Sequence, residues 1–184
     1  MLATYGYTRS DKRVEKAVQF IFREQESDGS WFGRWGVNYI YGTFLVLRGL
    51  DAIGVDHHEP QIQQAAEWIR MVQNPDGGWG ESCASYDRGT FVSAPSTPSQ
   101  TAWALLGLMA AGEAGHPAVA RGVEYLLATQ EPGGLWSERD YTGTGFPRVF
   151  YLRYHGYPKY FPLWAVARFR NLKNTNSRKV AFGL

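Results

Sequence analysis

One short pattern, Gln-x-x-x-Gly-x-Trp, occurs three times in this chain of 184 residues. The copies start 48 and 57 residues apart, and a self-similar unit of about 50 residues is typical of folds built from stacked helical units. The fixed positions are Gln25, Gly29 and Trp31; Gln73, Gly77 and Trp79; and Gln130, Gly134 and Trp136. The repeat therefore constrains the fold more than any other feature of the sequence.

Helical periodicity accompanies each copy of the pattern. The residues before it are apolar at i, i+3, i+4 and i+7, which predicts a helix with one buried face. Two other segments, 39–50 and 99–111, are apolar nearly all round, which predicts buried helices. Thr97-Pro-Ser-Gln100 matches the sequence pattern of a helix capping box. Pro60 and Pro117 are suited to the first turns of helices. Outer amphipathic helices thus alternate with inner apolar ones.

This alternation predicts an all-α fold, a two-layer α/α toroid of the α6-α6 barrel type. A closed ring of six helical pairs needs about 300 residues, so this chain is expected to form an incomplete arc of about three to four hairpins. We therefore interpret residues 1–184 as a partial α/α-barrel domain with a frayed tail at about 172–184. Its apolar edges are expected to be covered by another segment of protein.

The repeat turns themselves suit a structural role. Glycine permits a positive φ after a helix, and a glutamine amide can satisfy free backbone groups at helix ends. For all nine fixed positions we therefore favour a structural role, in which they join neighbouring helical hairpins, over a catalytic role.

Composition excludes several classes of function. A net charge of +2 does not favour a nucleic-acid partner. The single Cys83 rules out an intramolecular disulfide, and His57 and His58 favour a solvated loop over a metal site. No nucleotide-binding or hydrolase motif is present, so we expect neither a cofactor nor a metal.

Longer stretches of the sequence resemble a known family. They are DGSWFGRWGVNYIYGT at 28–43, NPDGGWGESCASYD at 74–87, STPSQTAWALLGL at 96–108 and YTGTGFPRVFYLRY at 141–154. These segments and the repeated turns resemble the sequences of the triterpene cyclases. The resemblance is greatest to the C-terminal part of squalene-hopene cyclases and covers nearly the whole chain. Oxidosqualene cyclases share the turns but match less well after Tyr141, and a fragment of that type remains an alternative.

The resemblance implies an intramolecular cyclase, in which a carboxylic acid protonates squalene and rings close through carbocations to pentacyclic hopanoids. The family's acid lies in an Asp-x-Asp-Asp motif, which this sequence lacks, so we assign no catalytic residue and expect the isolated chain to be inactive. The implied partners are squalene, the upstream N-terminal portion of the enzyme and a second copy in a homodimer. The implied location is the cytoplasmic side of a membrane, as a peripheral or monotopic protein.

Aromatic residues dominate the segment from Tyr141 to Trp164, where they make up nine of 24 residues. We expect Pro147 to open a short helix that closes near Gly156-Tyr-Pro158, with four aromatic side chains along one face: Phe146, Phe150, Tyr154 and Tyr157. Spacing alone favours core packing. The resemblance instead implies that these residues line the substrate cavity, with Phe146 and Phe150 facing a cation and pointing away from water.

A second candidate group precedes the first inner helix. The resemblance implies that Trp35 holds the folded squalene chain and that Tyr41 belongs to a hydroxyl network near the acid. A packed tryptophan at a helix start is the alternative for Trp35.

A noncatalytic helical-toroid module is the alternative to a cyclase fragment, and an upstream coding sequence with Asp-x-Asp-Asp would decide between them. A zinc-dependent prenyltransferase-like toroid is disfavoured by the single cysteine.

Overall fold

The computed structural model describes residues 2–174. After a 3₁₀ turn at Leu2–Tyr5, the helices are α1 (Lys12–Arg23), α2 (Tyr39–Ala52), α3 (Pro60–Met71), α4 (Ser85–Arg88), α5 (Pro98–Ala110), α6 (Pro117–Ala128) and α7 (Tyr157–Asn174). Two short strands, β1 (Gly143–Phe146) and β2 (Phe150–Leu152), precede α7.

The long helices form two layers. All residues of α5 are buried, and this helix packs against both α2 and α7 in the inner layer. Phe44 of α2 also meets Phe161 of α7, with ring centroids 6.2 Å apart. In the outer layer, α3 packs on α2 and α5, and α6 packs on α5. Helix α1 is the third outer helix, since its Val14 and Val18 belong to the core and the turn after it bonds to α3. The predicted two-layer arc is confirmed, with three outer and three inner helices in the described part of the chain.

The helix starts follow the sequence with one exception. Proline occupies the first turn of α3, α5 and α6, as expected. Thr97 Oγ1 accepts a bond from the Gln100 amide at the start of α5. The Gln100 side chain, however, donates to the carbonyl oxygens of Val37 and Glu81. The predicted capping box is therefore half formed, because this glutamine bonds to the preceding repeat.

The three repeat turns share one bonding pattern. Each Trp Nε1 donates to the carbonyl oxygen ten residues earlier in the outer helix, over 2.8, 2.7 and 2.7 Å in chain order. Each Gln Nε2 donates to the carbonyl oxygen of the turn glycine over 2.8 Å. The first two glutamines also bond to the next outer helix, at Gln61 of α3 and Ala118 of α6. A turn of this kind closes one outer helix and, in these two copies, ties it to the next.

The prediction of a short helix after Pro147 is wrong, because the chain forms an antiparallel hairpin there. Gly143 pairs with Leu152, Thr144 with Tyr151 and Phe146 with Phe150. Arg148 has φ +67°, which turns the chain directly after the proline and prevents a helix from continuing. Gly156-Tyr-Pro158, expected to close a helix, lies at the start of α7.

The C-terminal boundary also differs from expectation. Helix α7 runs through Asn174, so residues 172–174 are helical and not frayed. Residues 175–184 of the predicted frayed tail lie outside the described residues.

Candidate functional site

The loop before α2 pairs with the hairpin. The Thr144 amide donates to the Trp35 carbonyl over 3.0 Å, and the Val37 amide donates to the Thr142 carbonyl over 3.0 Å. Between these bonds, Gly36 forms an antiparallel bridge with Gly143. This pairing brings together two segments that are more than 100 residues apart in sequence.

Three rings meet along this pairing, and we call Trp35, Phe146 and Phe150 the hairpin cluster. The ring centroids of Trp35 and Phe146 are 6.4 Å apart, and those of Phe146 and Phe150 are 5.9 Å apart, both edge to face. The three side chains are 50%, 55% and 46% exposed, respectively. They therefore do not face an enclosed hollow in this chain, contrary to the expectation for Phe146 and Phe150. They form one side of an open aromatic surface.

A second set of rings, Tyr41, Trp103, Tyr154 and Tyr157, forms what we call the tyrosine cluster. Tyr41 lies 4.9 Å from Trp103, and Trp103 lies 5.6 Å from Tyr157, between ring centroids. Tyr154 stacks on Tyr157 at 4.7 Å. Tyr41, Trp103 and Tyr157 come from α2, α5 and the start of α7, and Tyr154 lies in the turn just before α7. The inner layer and this turn therefore build the cluster.

The Gly36–Gly143 bridge joins the two clusters. A Cβ atom on Gly36 would lie 2.3 Å from the Tyr41 ring, and one on Gly143 would lie 2.5 Å from the Tyr154 ring. Both rings thus rest on bare backbone, which only glycine leaves room for. The predicted site residues meet in two adjoining groups and not as one stripe along a helix.

The Tyr41 and Tyr157 hydroxyls are neutral parts of this surface. Burial raises the pKa of Tyr41 and of Tyr157, so both phenols stay protonated at neutral pH. The ring contacts of Tyr41 are with Phe44 and Trp103. Its membership of a hydroxyl network stays a prediction.

A neighbouring groove has a different character. Phe146 also lines an open groove of about 540 Å³ that contains Arg34 and Arg148. The Arg34 guanidinium lies 5.0 Å from the centre of the Trp35 ring. A fixed positive charge repels a carbocation, so the uncharged rings suit cationic chemistry better than this groove does.

Two of the turn aspartates are engaged in local bonds. Asp28 Oδ1 accepts a bond from the Ser30 amide, and Asp76 Oδ1 accepts one from the Gly78 amide, each over 3.0 Å. These bonds make both carboxylates part of the repeat turns.

The sequence did not single out two buried residues, Trp103 and Glu81, or the half-buried Glu138. Trp103 is fully buried among the candidate rings, and its all-apolar helix gave no reason to separate it from the core. Glu81 and Glu138 are carboxylates that bond to inner helices. Their common position, two residues after a repeat tryptophan, was a signal that could have found them.

Together, the layered helices and the aromatic surface define a helical-barrel protein of the terpene cyclase class. The profile of the family described as "Squalene-hopene cyclase C-terminal domain" matches residues 1–171. The squalene–hopene cyclase of Bradyrhizobium diazoefficiens is 60% identical over 100% of this chain, and that of Zymomonas mobilis is 54% identical over 100%. The chain belongs to the squalene-hopene cyclase family.

A solved structure supports the same fold. The type II terpene cyclase MstE from Scytonema matches 76% of this chain and 38% of its own chain, with a TM-score of 0.56 and 26% identity. The chain spans 28% of the length of each of the two bacterial cyclases above. Within the described residues, no helix combines the length and apolar character needed to cross a membrane.

Proposed function

We propose that this chain is the C-terminal part of a squalene-hopene-type cyclase and supplies aromatic walls to the cavity in which squalene is cyclised to pentacyclic hopanoids. The observation that carries the proposal is the aromatic surface of the two clusters, in a chain with 60% identity to an enzyme named squalene–hopene cyclase. Ring faces stabilise cations by about 0.5 to 2 kcal/mol without offering a lone pair for bonding.

The contacts within the surface support a role for each ring. Phe146 and Phe150 are held on opposite strands of the hairpin and present their rings outward, which suits direct contact with a carbocation. Tyr154, in the turn before α7, stacks on Tyr157 at the start of that helix, and the pair supports the surface. Trp35 carries Arg34 beside its ring, so it suits holding a neutral hydrocarbon chain better than a cation.

The third repeat turn supports the proposal that an upstream portion completes this surface. Gly77 lies against α6, where a Cβ atom would be 2.8 Å from the Arg121 carbonyl oxygen. At Gly134, no atom of the described residues lies within 4 Å of the same position. Gln130 bonds to Gly134, while the glutamines of the first two turns each have a second bond to a helix. A further outer helix from the upstream portion would fill this place.

A chimera tests the function. In it, this chain replaces the matching C-terminal 28% of the Bradyrhizobium diazoefficiens enzyme, and products from squalene are measured by gas chromatography with mass spectrometry. We expect pentacyclic triterpenes from the chimera and none from this chain alone or from the upstream portion alone. A folded chimera that leaves squalene unchanged would contradict the proposal and favour a noncatalytic helical module.

We further propose that the complete enzyme acts at the cytoplasmic membrane surface as a homodimer, as the family resemblance implies. Squalene is a hydrocarbon that partitions into the bilayer, so a cyclase gains access to it at the membrane surface. Flotation of the chimera with liposomes tests the membrane association, and sedimentation in detergent tests the dimer. A chimera that stays at the bottom of the gradient would contradict the membrane proposal.

A further inference from the structure

The start of α2 is capped by a carboxylate from the next repeat. Glu81 is 3% exposed and accepts bonds from the backbone amides of Asn38, Tyr39 and Ile40 over 3.0, 3.1 and 3.0 Å. These amides are among the donors that a helix N-terminus leaves without a partner. Asn38 itself makes no side-chain cap, and its Oδ1 accepts from Gly33 instead. The cap therefore depends on contact between repeats.

The same arrangement occurs one repeat later. Glu138 follows Trp136 by two residues, as Glu81 follows Trp79. Its carboxylate accepts bonds from the Ser99 amide over 3.2 Å and from Ser99 Oγ over 2.7 Å, in the first turn of α5. Two copies of the repeat thus extend to Gln-x-x-x-Gly-x-Trp-x-Glu, with the carboxylate bonded to the preceding inner helix.

Gln100 fixes Glu81 in place. Its Nε2 donates to the carbonyl oxygens of Glu81 and Val37 over 3.1 and 3.0 Å, and its Oε1 accepts from the Glu81 amide over 3.0 Å. Gln100 is 1% exposed, so these bonds are made away from water. The starts of α2 and α5 are therefore coupled through one buried polar network.

The electrostatics of Glu81 make the cap sensitive to substitution. Burial raises the pKa of Glu81, while its bonds to the three amides favour the ionised form. The positive end of α2 further favours a negative charge at this position. Loss of the carboxylate would leave three buried amide groups without enough hydrogen-bond acceptors. Unpaired donors inside a protein raise the free energy of the folded state.

We propose that Glu81 is a positioning residue for the cyclisation, which sets Trp35 and Tyr41 relative to the hairpin by holding the start of α2. Trp35 precedes the three capped amides and Tyr41 follows them, so both ends of this segment carry a ring of the aromatic surface. The inference rests on the proposed function, because it concerns the shape of the cavity wall.

The test compares Glu81→Gln with two controls in the chimera. Gln keeps the size of Glu81 but turns an NH₂ group towards amide donors. Misplacement of a reacting wall by about 1 Å costs up to about 100-fold in rate, so we expect kcat to fall by about 10- to 100-fold with a smaller change in KM. We also expect a larger share of prematurely terminated products.

The controls separate positioning from general stability. Asp11→Ala removes the cap of the outer helix α1, where Asp11 Oδ1 accepts from the Arg13 amide over 2.8 Å. It should lower the melting temperature and leave the product ratio unchanged. Glu67→Gln, on the exposed face of α3, should change neither quantity.

The outcomes are decisive in each case. A folded Glu81→Gln chimera with the parent kcat and product ratio would overturn the proposal. If that variant does not fold, Gln100→Met removes the coupling without changing a charge, and an unchanged product ratio in that variant would overturn the proposal.

If the parent chimera itself makes no product, the proposed function fails. Hydrogen exchange of the backbone amides in this chain then tests the cap by itself. Glu81→Gln should raise the exchange rate of amides 38–44 about tenfold and leave that of α3 unchanged. Equal exchange rates at 38–44 in the variant and the parent chain would refute the cap.

Discussion

The three repeat turns offer a matched pair of substitutions, Gly77→Ala and Gly134→Ala. Both glycines adopt a left-handed conformation, with φ +86° and +78°. Alanine in that conformation costs about 1 to 2 kcal/mol, a cost common to both variants. Of the two, only Gly77 has a neighbour within 4 Å among residues 2–174, since its Cβ atom would lie 2.8 Å from the Arg121 carbonyl oxygen and 3.1 Å from the Arg121 Cβ atom.

That backbone contact cannot be relieved by a side-chain rotation, so α6 must move. Overpacking of this kind costs about 1 to 3 kcal/mol more. We therefore expect Gly77→Ala to lower the free energy of unfolding of this chain by about 2 to 5 kcal/mol and Gly134→Ala by about 1 to 2 kcal/mol. Urea unfolding followed by circular dichroism at 222 nm measures both. Equal losses in the two variants would refute the reasoning about the turn contacts.

The same pair tests the proposed partner. In the chimera, a helix from the upstream portion would lie against Gly134 as α6 lies against Gly77. We expect the fall in melting temperature caused by Gly134→Ala to approach that caused by Gly77→Ala there. If Gly134→Ala stays the milder variant in the chimera, no helix occupies the third turn in the proposed way.

Three other substitutions or titrations probe separate features. In the chimera, Phe150→Ala should release prematurely cyclised products with little loss of stability, because the ring is 46% exposed; an unchanged product spectrum would argue against a cavity role. Burial raises the pKa of Cys83 to about 11, so its alkylation rate should rise about tenfold per pH unit from pH 7 to 9.5, and a plateau near pH 8.5 would contradict this. Bonding to Arg9 lowers the pKa of Glu15 from 4.5 to about 2. The stabilisation from Glu15 is present above about pH 4.5 and is lost as the pH falls through about 2, so Glu15→Gln should flatten acid unfolding over that range.

The layered fold was predictable because its signals are local and repeated. Each outer helix carries its own apolar face, its own proline or cap at the start and its own repeat turn at the end. The inner helices α2 and α5 are apolar on all sides, which indicates burial without knowledge of the neighbours. Their order along the chain then determines the two layers.

The hairpin was not predictable in the same way, because its partner is remote in sequence. Locally, Pro147 and the four-residue spacing of Phe146 and Phe150 also suit a helix. What favours strands is the pairing of Thr142 and Thr144 with the loop at Trp35 and Val37. This pairing satisfies backbone groups that are more than 100 residues apart in sequence. The caps by Glu81 and Glu138 also depend on contacts between repeats, which the sequence pattern alone does not specify.

The error in secondary structure nevertheless left Phe146 and Phe150 together, for a geometric reason. A spacing of four places two side chains on one face of a helix, whereas in this hairpin Phe146 and Phe150 are cross-strand partners around a tight turn. The hairpin, however, holds the two rings in a different way from a helix, and this matters for function. Rings on a helix are held by side-chain packing, but these two are held by main-chain bonds between the hairpin and the Trp35 loop. A half-exposed aromatic surface can therefore keep its shape, because the backbone supports it where side-chain packing does not.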